Sequence, residues 1–476
     1  MASVKKNYLY NLTAQMLTII LPVVTTPYIT RVLGNENLGI FGYAQSIVNY
    51  FILFGCIGLN TYSQREIAFH KNNRHQQSVI FVEVMIIRLV TVSLSMVVYW
   101  LAIIRTADYP LYYSIFGLEL FAALTDISWF LQGNENFRSQ MVRTLITRVL
   151  GLACIFLFVK DAEDLYIYIL CCSGAILAGN LSLWFSVKKN LTPFCRDELR
   201  PLRHLQPAMI MFLPQIAVSV YTQLDKTMIG LLTAHDYNEV GYYSQAEKIV
   251  KIAMTIVTSL GSIMLSRVTV AISQNDQKGA EAYIRNSFRF MYLLGCPIAF
   301  GLAAICSDMV PWFFGPGYEP VIPCMVMLSP LVLIIGISNI FGTQYMIPTK
   351  RMKEFTTSIL VGMVVNVVFN VILIPTFGAI GAVVATLLAE SAVSLRQYLY
   401  LKSIFRPAIF LVGFRNVIAS AVMGCVVYAM TIWLPAAIWA TAAEIAIGAA
   451  VYFAGLVLLR DDFLLENIRR LGGKRR

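Results

Sequence analysis

Apolar runs long enough to cross a bilayer recur from one end of this 476-residue chain to the other. A hydrocarbon core about 30 Å thick needs roughly 20 consecutive apolar residues in a helix. Such windows predict about fourteen spans, near residues 9–33, 38–63, 78–104, 111–132, 144–160, 164–187, 208–232, 239–265, 288–306, 321–345, 355–374, 378–401, 414–434 and 437–459. Four of these are polar along one side. The second carries Gln45, Asn49, Cys56, Asn60 and Ser63, and the eighth carries Ser244, Lys248, Lys251, Thr255, Ser259 and Ser262. Steps of three and four residues put each set on one helical face. The first span shows Asn7, Asn11, Thr18 and Thr25, and the seventh Gln215, Ser219, Thr222 and Lys226, in the same manner. A polar face cannot look at hydrocarbon, so it must look at other protein or at a water-filled cavity. Two lysines on such a face favour a cavity that receives something anionic. The first span holds prolines and polar residues and no small-residue cleavage site, so it reads as a retained helix and not a signal peptide.

Composition sharpens the class. The chain is 58% hydrophobic and only 13% charged, far from the soluble average. With both termini placed inside, most of the 37 Lys and Arg fall in inner loops and tails, notably Lys5, Lys6 and the stretches 65–74, 188–203, 350–353 and 460–476. Arg31 and Arg105 fall outside, while Arg88, Lys160, Lys226, Lys248, Lys251 and Arg396 stay within spans or at their edges. This is the positive-inside pattern. The net charge of +11 therefore reflects topology and anionic inner-leaflet lipid, not nucleic acid. The nine cysteines fit no disulfide or metal pattern, and His70, His75, His204 and His235 lie in loops without a Cys or Glu at ligand spacing.

An offset of 202 residues lays Gly39–Arg65 on Gly241–Arg267 without a gap, matching Gly39 with Gly241, Ala44 with Ala246, Ile47 and Val48 with Ile249 and Val250, and Arg65 with Arg267. Six spans precede a basic stretch and six follow it, so both halves start inside, as a parallel repeat about an axis along the membrane normal. The expected organisation is an N-lobe over 1–187, a cytoplasmic linker over 188–207, a C-lobe over 208–401, and two further helices with a basic tail over 402–476. The opening span of each half also contains proline: Pro22 and Pro27 in one, Pro214 in the other. Proline removes a helical hydrogen bond, and interrupted helices at corresponding positions of two repeats point to gates and binding sites. The first, second, seventh and eighth spans are thus expected to line a central cavity.

The segments Thr30-Arg31-Val32-Leu33-Gly34 and Leu38-Gly39-Ile40-Phe41-Gly42 resemble the first hairpin of bacterial polysaccharide repeat-unit flippases. So do Asp225-Lys226-Thr227-Met228-Ile229-Gly230, Glu239-Val240-Gly241-Tyr242-Tyr243 and Ala246-Glu247-Lys248, together with Asn366, Asn370, Pro375, Gly378, Ile380-Gly381-Ala382 and Glu390. These flippases, of the O-antigen, capsule or teichoic type, belong to the multidrug/oligosaccharidyl-lipid/polysaccharide exporter superfamily. The resemblance implies an all-α membrane fold of two six-helix lobes with alternating access, in the bacterial cytoplasmic membrane. It also implies a substrate of undecaprenyl-diphosphate-linked oligosaccharide, with polysaccharide polymerase and glycosyltransferases as working partners and a monomeric carrier. Related peptidoglycan-precursor flippases carry an arginine pair in the second helix, where this chain has Tyr50-Phe51-Ile52-Leu53; that feature does not carry over.

A diphosphate inside the bundle calls for Lys or Arg, although a charge near the bilayer centre costs roughly 2.5–3.5 kcal/mol on insertion scales. Lys248, Lys251, Lys226, Arg88 and Arg31 are the candidate cations, and Asn49, Asn60 and Gln215 the candidate sugar partners. Lys248 and Lys251 could instead pair with Glu247 or Asp225. No phosphate-binding Gly-rich loop is present, so the expected energy source is an ion gradient, with no cofactor beyond a sodium ion or protons. The resemblance implies a sodium site as in some relatives, between the seventh, eleventh and twelfth helices, where the matching positions are Asp225, Asn366, Asn370 and Thr386. Glu119 and Asp126, seven residues apart on the fourth span, could carry protons or pair with Arg88. Two rivals stand beside the flippase: a cation-coupled drug exporter of the same superfamily, and a membrane-embedded polymerase or ligase. The last would need catalytic groups on an outer loop, and the largest, Ser307–Pro320, offers only Asp308 and Glu319.

Overall fold

The computed structural model describes residues 2–187, 191–193, 196–259 and 261–465. Every regular element among them is helical. In chain order these are α1 (Ala2–Cys56), α2 (Leu59–Phe69), α3 (Arg74–Tyr99), α4 (Pro110–Thr125), α5 (Ser128–Gly133), α6 (Phe137–Phe158), α7 (Leu165–Val187) and α8 (Leu205–Leu232). There follow α9 (Tyr237–Thr258), α10 (Gly261–Ser273), α11 (Gln277–Phe314), α12 (Val321–Leu328), α13 (Leu331–Ser338), α14 (Met352–Leu401), α15 (Phe414–Trp433) and α16 (Ile438–Leu458). The chain forms two compact units, Met1–Thr227 and Met228–Arg476, with the division inside α8.

Ten helical stretches among the described residues are long and apolar enough to cross a membrane, against the fourteen expected. Two of the ten, Leu21–Cys56 and Met352–Leu401, each hold two predicted spans, divided at Gly34 and Gly378 where the backbone leaves the helical region. The seventh and eighth predicted spans, α8 and α9, are not among the ten. Large apolar side chains such as Leu94, Leu395, Ile432 and Trp433 stand exposed, as they do where lipid replaces water.

Polar caps and glycine breaks set the helix bounds. Asn73, Asp236 and Asp276 accept hydrogen bonds from the backbone amides of Gln76, Asn238 and Gly279 at the starts of α3, α9 and α11, which satisfies amides that the first turn leaves unpaired. Four predicted spans are interrupted, and the tenth breaks at Ser329–Pro330, between α12 and α13. The second breaks at Ile57 and Gly58, both left-handed (φ 42° and 70°). A Cβ at Gly58 would stand 2.8 Å from the Ala208 carbonyl oxygen, so the close approach of the α8 start requires glycine. The fourth span breaks at Asp126–Ile127 and the eighth after Thr258. In place of the expected outer loop from Ser307, α11 continues to Phe314. Pro22 and Pro27 sit inside α1 without breaking it, since Gly34 is its one non-helical residue.

In the first unit, Phe81, Trp129 and Phe130 form the centre of a core with Leu59, Ile67 and Ile127. In the second, Tyr452 of α16 donates to the Leu293 carbonyl of α11 (2.9 Å) and accepts from Asn416 of α15 (3.0 Å). The two C-terminal helices are fixed to α11 by that buried link and by Met423, Val427 and Leu456.

Candidate functional site

Arg88 is the most buried of the predicted cations. It lies on α3 with 0% of its surface exposed, and its guanidinium donates to Asn60 Oδ1, the Asp126 carbonyl and the Ala123 carbonyl. The Asp126 carboxylate is 3.9 Å away. Two partners come from helix breaks, Asn60 from the restart after Gly58 and Asp126 from the α4–α5 junction, while Ala123 lies in the last turn of α4. Arg88, Asn60 and Asp126 are therefore one cluster, and the pairing of Asp126 with Arg88 is the alternative to a proton carrier that the sequence left open. Glu119 does not join it. Its carboxylate accepts from Ser173 of α7 (3.1 Å) and from Gln45 of α1. The expectation that Glu119 and Asp126 share a helical face fails because α4 ends at Thr125. For the same reason Asn60 and Ser63 leave the face that holds Gln45 and Asn49: the backbone turns at Ile57–Gly58 between them.

The other predicted residues of the first unit are more dispersed. Arg31 is exposed and donates to the Pro27 carbonyl (2.8 Å). Asn49 is half-buried on α1. Gln215 of α8 donates to Thr61 (2.7 Å). Asp225 is buried and Lys226 half-buried. Beside them Thr227 bonds Ser46 (2.8 Å) and Tyr50 (3.3 Å) of α1. The side chains of Pro214, Asn7, Asn11 and Thr18 lie outside the described residues.

In the second unit, Lys248 of α9 donates to Gln245 (3.0 Å), and Lys251 pairs with Glu247 at 2.6 Å. Asn366 and Asn370 of α14 are fully buried and bonded to each other (3.1 Å). Thr386, on the far side of Gly378, bonds Tyr243 of α9 (3.3 Å). Glu239 at the start of α9 accepts from the Ala379 amide (2.6 Å), capping the helix that restarts after Gly378. The cationic helix α9 and the asparagine-bearing α14 thus share a polar seam.

Three features escaped sequence reasoning. Glu83 of α3 is fully buried and takes Arg203 (2.6 Å) and His204 (2.7 Å), while His204 also bonds Tyr62 (2.6 Å); part of the expected linker is thereby docked on α2 and α3. Asp308 of α11 and Glu444 of α16 are both buried and feel each other's charge, and among the described residues neither Glu444 carboxylate oxygen has a hydrogen-bond partner. Arg148 falls inside the predicted span 144–160, midway along α6, where a basic residue within an apolar run was the available signal.

Ten apolar helical stretches, with cations and amides set within the bundle, make this a multi-pass helical membrane protein. Lipid II flippase MurJ in an inward closed conformation matches 96% of this chain and 100% of its own, with a TM-score of 0.77 at 17% identity. An inward-facing multidrug resistance MATE family transporter matches 87% and 98%, with a TM-score of 0.65 at 12% identity. These likenesses are of fold. The chain belongs to the polysaccharide biosynthesis protein family, which matches residues 4–265. A protein assigned as an O-antigen transporter in Escherichia coli (strain K12) is 24% identical over 84% of this chain and 97% of its own length. A flippase assigned to low-salt glycan biosynthesis in Haloferax volcanii is 23% identical over 79% of each.

Proposed function

We propose that this protein is a flippase that carries an undecaprenyl-diphosphate-linked oligosaccharide repeat unit from the inner to the outer leaflet of the bacterial cytoplasmic membrane by alternating access. The observation that carries the reading is α9, where Lys248 and Lys251 stand one turn apart within a helix whose other side is buried, although Lys251 makes the alternative pairing with Glu247 that the sequence allowed. Intramembrane cations of this kind mark the path of a charged substrate. Membership of a polysaccharide biosynthesis family supports a sugar-bearing anion over the organic cations of a drug exporter. A polymerase or ligase is disfavoured because Asp308 lies buried in α11 against Glu444, which leaves Glu319 as the only acid from the expected outer loop. Sodium or proton coupling through Asp225, Asn366, Asn370 and Thr386 belongs to the same proposal, as do supply by glycosyltransferases and delivery to a polymerase.

Lys248→Ala is expected to abolish polysaccharide export in cells where the protein inserts at normal abundance. Lys248→Arg keeps the charge with altered geometry and should retain part of it. Normal export by well-expressed Lys248→Ala would remove α9 from the substrate path, and extrusion of cationic dyes without movement of lipid-linked sugar would favour the exporter.

A further inference from the structure

Helix α6 has two unlike faces. Val142, Ile146, Val149 and Leu150 stand exposed, as lipid-facing side chains do. Thr144, Thr147, Arg148 and Ile155 recur at the helical period and line a cavity of about 380 Å³. Tyr168 and Asn180 of α7 and Pro22 and Thr25 of α1 complete its wall. Its size is within the roughly 300–1,000 Å³ of ligand pockets.

The cavity is not a gap in poor packing. Gly151 and Gly179 bring α6 and α7 so close that a Cβ on either would stand within 2.8 Å of Ala175 or 3.0 Å of Thr147. Tight small-residue seams of this kind hold membrane helices together, and the polar space lies beside this one. Among the described residues no acidic side chain lines the cavity. Arg143, nearer the start of α6, is occupied by the Ser182 carbonyl. Arg148, whose side chain is exposed, brings a guanidinium with a planar set of donors suited to phosphate oxygens to a space lined by the hydroxyls of Thr25, Thr144, Thr147 and Tyr168, halfway along a membrane helix.

We propose that this cavity binds the phosphate-bearing head group of a membrane lipid through Arg148, at a site distinct from the lysine face of α9. The inference stands on unit-one geometry and holds whether or not the transport reading does. The lipid source is either the polyprenyl diphosphate carrier or an acidic phospholipid.

Cys171 and Cys172 line the same cavity, and the exposed Cys425 of α15 is a built-in control. The purified full-length protein would be labelled with N-ethylmaleimide and the rate at each cysteine read by mass spectrometry. Polyprenyl diphosphate is expected to slow labelling of Cys171 and Cys172 while leaving Cys425 unchanged, and polyprenol, which has the tail without phosphate, is expected to protect neither. Arg148→Gln should weaken the protecting affinity by about tenfold or more, the value of a charge-assisted hydrogen-bond pair, and Arg148→Lys should lose less. Protection by phosphatidylglycerol at matching concentration assigns the site to bulk acidic lipid, and its absence assigns the site to the carrier; both support a phosphate site. Equal protection by polyprenol, or undiminished protection in a folded Arg148→Gln protein, would overturn it. Because the readout is protection and not transport, failure of the flippase reading would leave this result interpretable.

Discussion

Removing the Arg88 side chain tests whether a buried cation in this fold serves the substrate or the architecture. The guanidinium is fully buried and joins three pieces of chain that have no continuous helix between them: the restart at Asn60, α3 itself and the α4–α5 junction at Asp126. Deleting one partner of a buried ion pair costs about 3–5 kcal/mol. The Asp126 side chain keeps 18% of its exposure, which puts Arg88→Ala near the lower end, about 3 kcal/mol. For a unit of 227 residues each kcal/mol lowers the thermal midpoint by about 2–4 °C, so a fall of about 6–12 °C is expected. Thermal unfolding of the detergent-purified protein measures it. Arg88→Lys should recover only part, because an ammonium cannot span Asn60 and Asp126 as a planar guanidinium does. In an Asp126→Asn background the same arginine deletion should cost about 1–2 kcal/mol less, the coupling of a contacting pair. An Arg88→Ala protein with an unchanged midpoint and lost export would refute the architectural role and return Arg88 to the substrate site.

Gly378→Ala should lower stability by roughly 2 kcal/mol. A side chain at φ 53° is strained, and its Cβ would intrude on the Glu239 carboxylate that caps Ala379; a midpoint equal to wild type would show the break to be dispensable. Cysteines introduced at His235 and Pro316 should react with a membrane-impermeant thiol reagent from outside intact cells, and those at Asn72 and Arg200 should not. Reaction at Arg200 would invert the proposed orientation.

Much of the helical order was legible because a bilayer leaves few options: apolar runs of the right length must be helices, and the ends placed near Gly34 and Gly378 follow from glycine and proline between such runs. The interruptions inside spans were not legible. At Ile57–Gly58 the apolar run continues unbroken, and the reason for the turn is the Ala208 carbonyl, about 150 residues away in sequence. Arg88, Asn60 and Asp126 each carried a signal, yet their convergence depends on two such turns. Asp308 lies beyond the predicted span 288–306, but α11 continues through Pro311 to Phe314. The docking of Arg203 and His204 on Glu83 is likewise non-local, and a basic linker gives no hint of a buried carboxylate waiting for it.

The helical run from Asn35 to Cys56 has a counterpart in the second unit: it and the helix from Tyr237 to Thr258 start and stop at the same offset of 202 residues. Few side chains match across those stretches, so the same length of helix is specified by different residues in the two units. Where the second has Lys248 and Lys251, the first has Ser46 and Asn49, and from Asn35 to Cys56 there is no Lys or Arg. Of these two equal-length helices, only the later one exerts an attraction of its own on an anion.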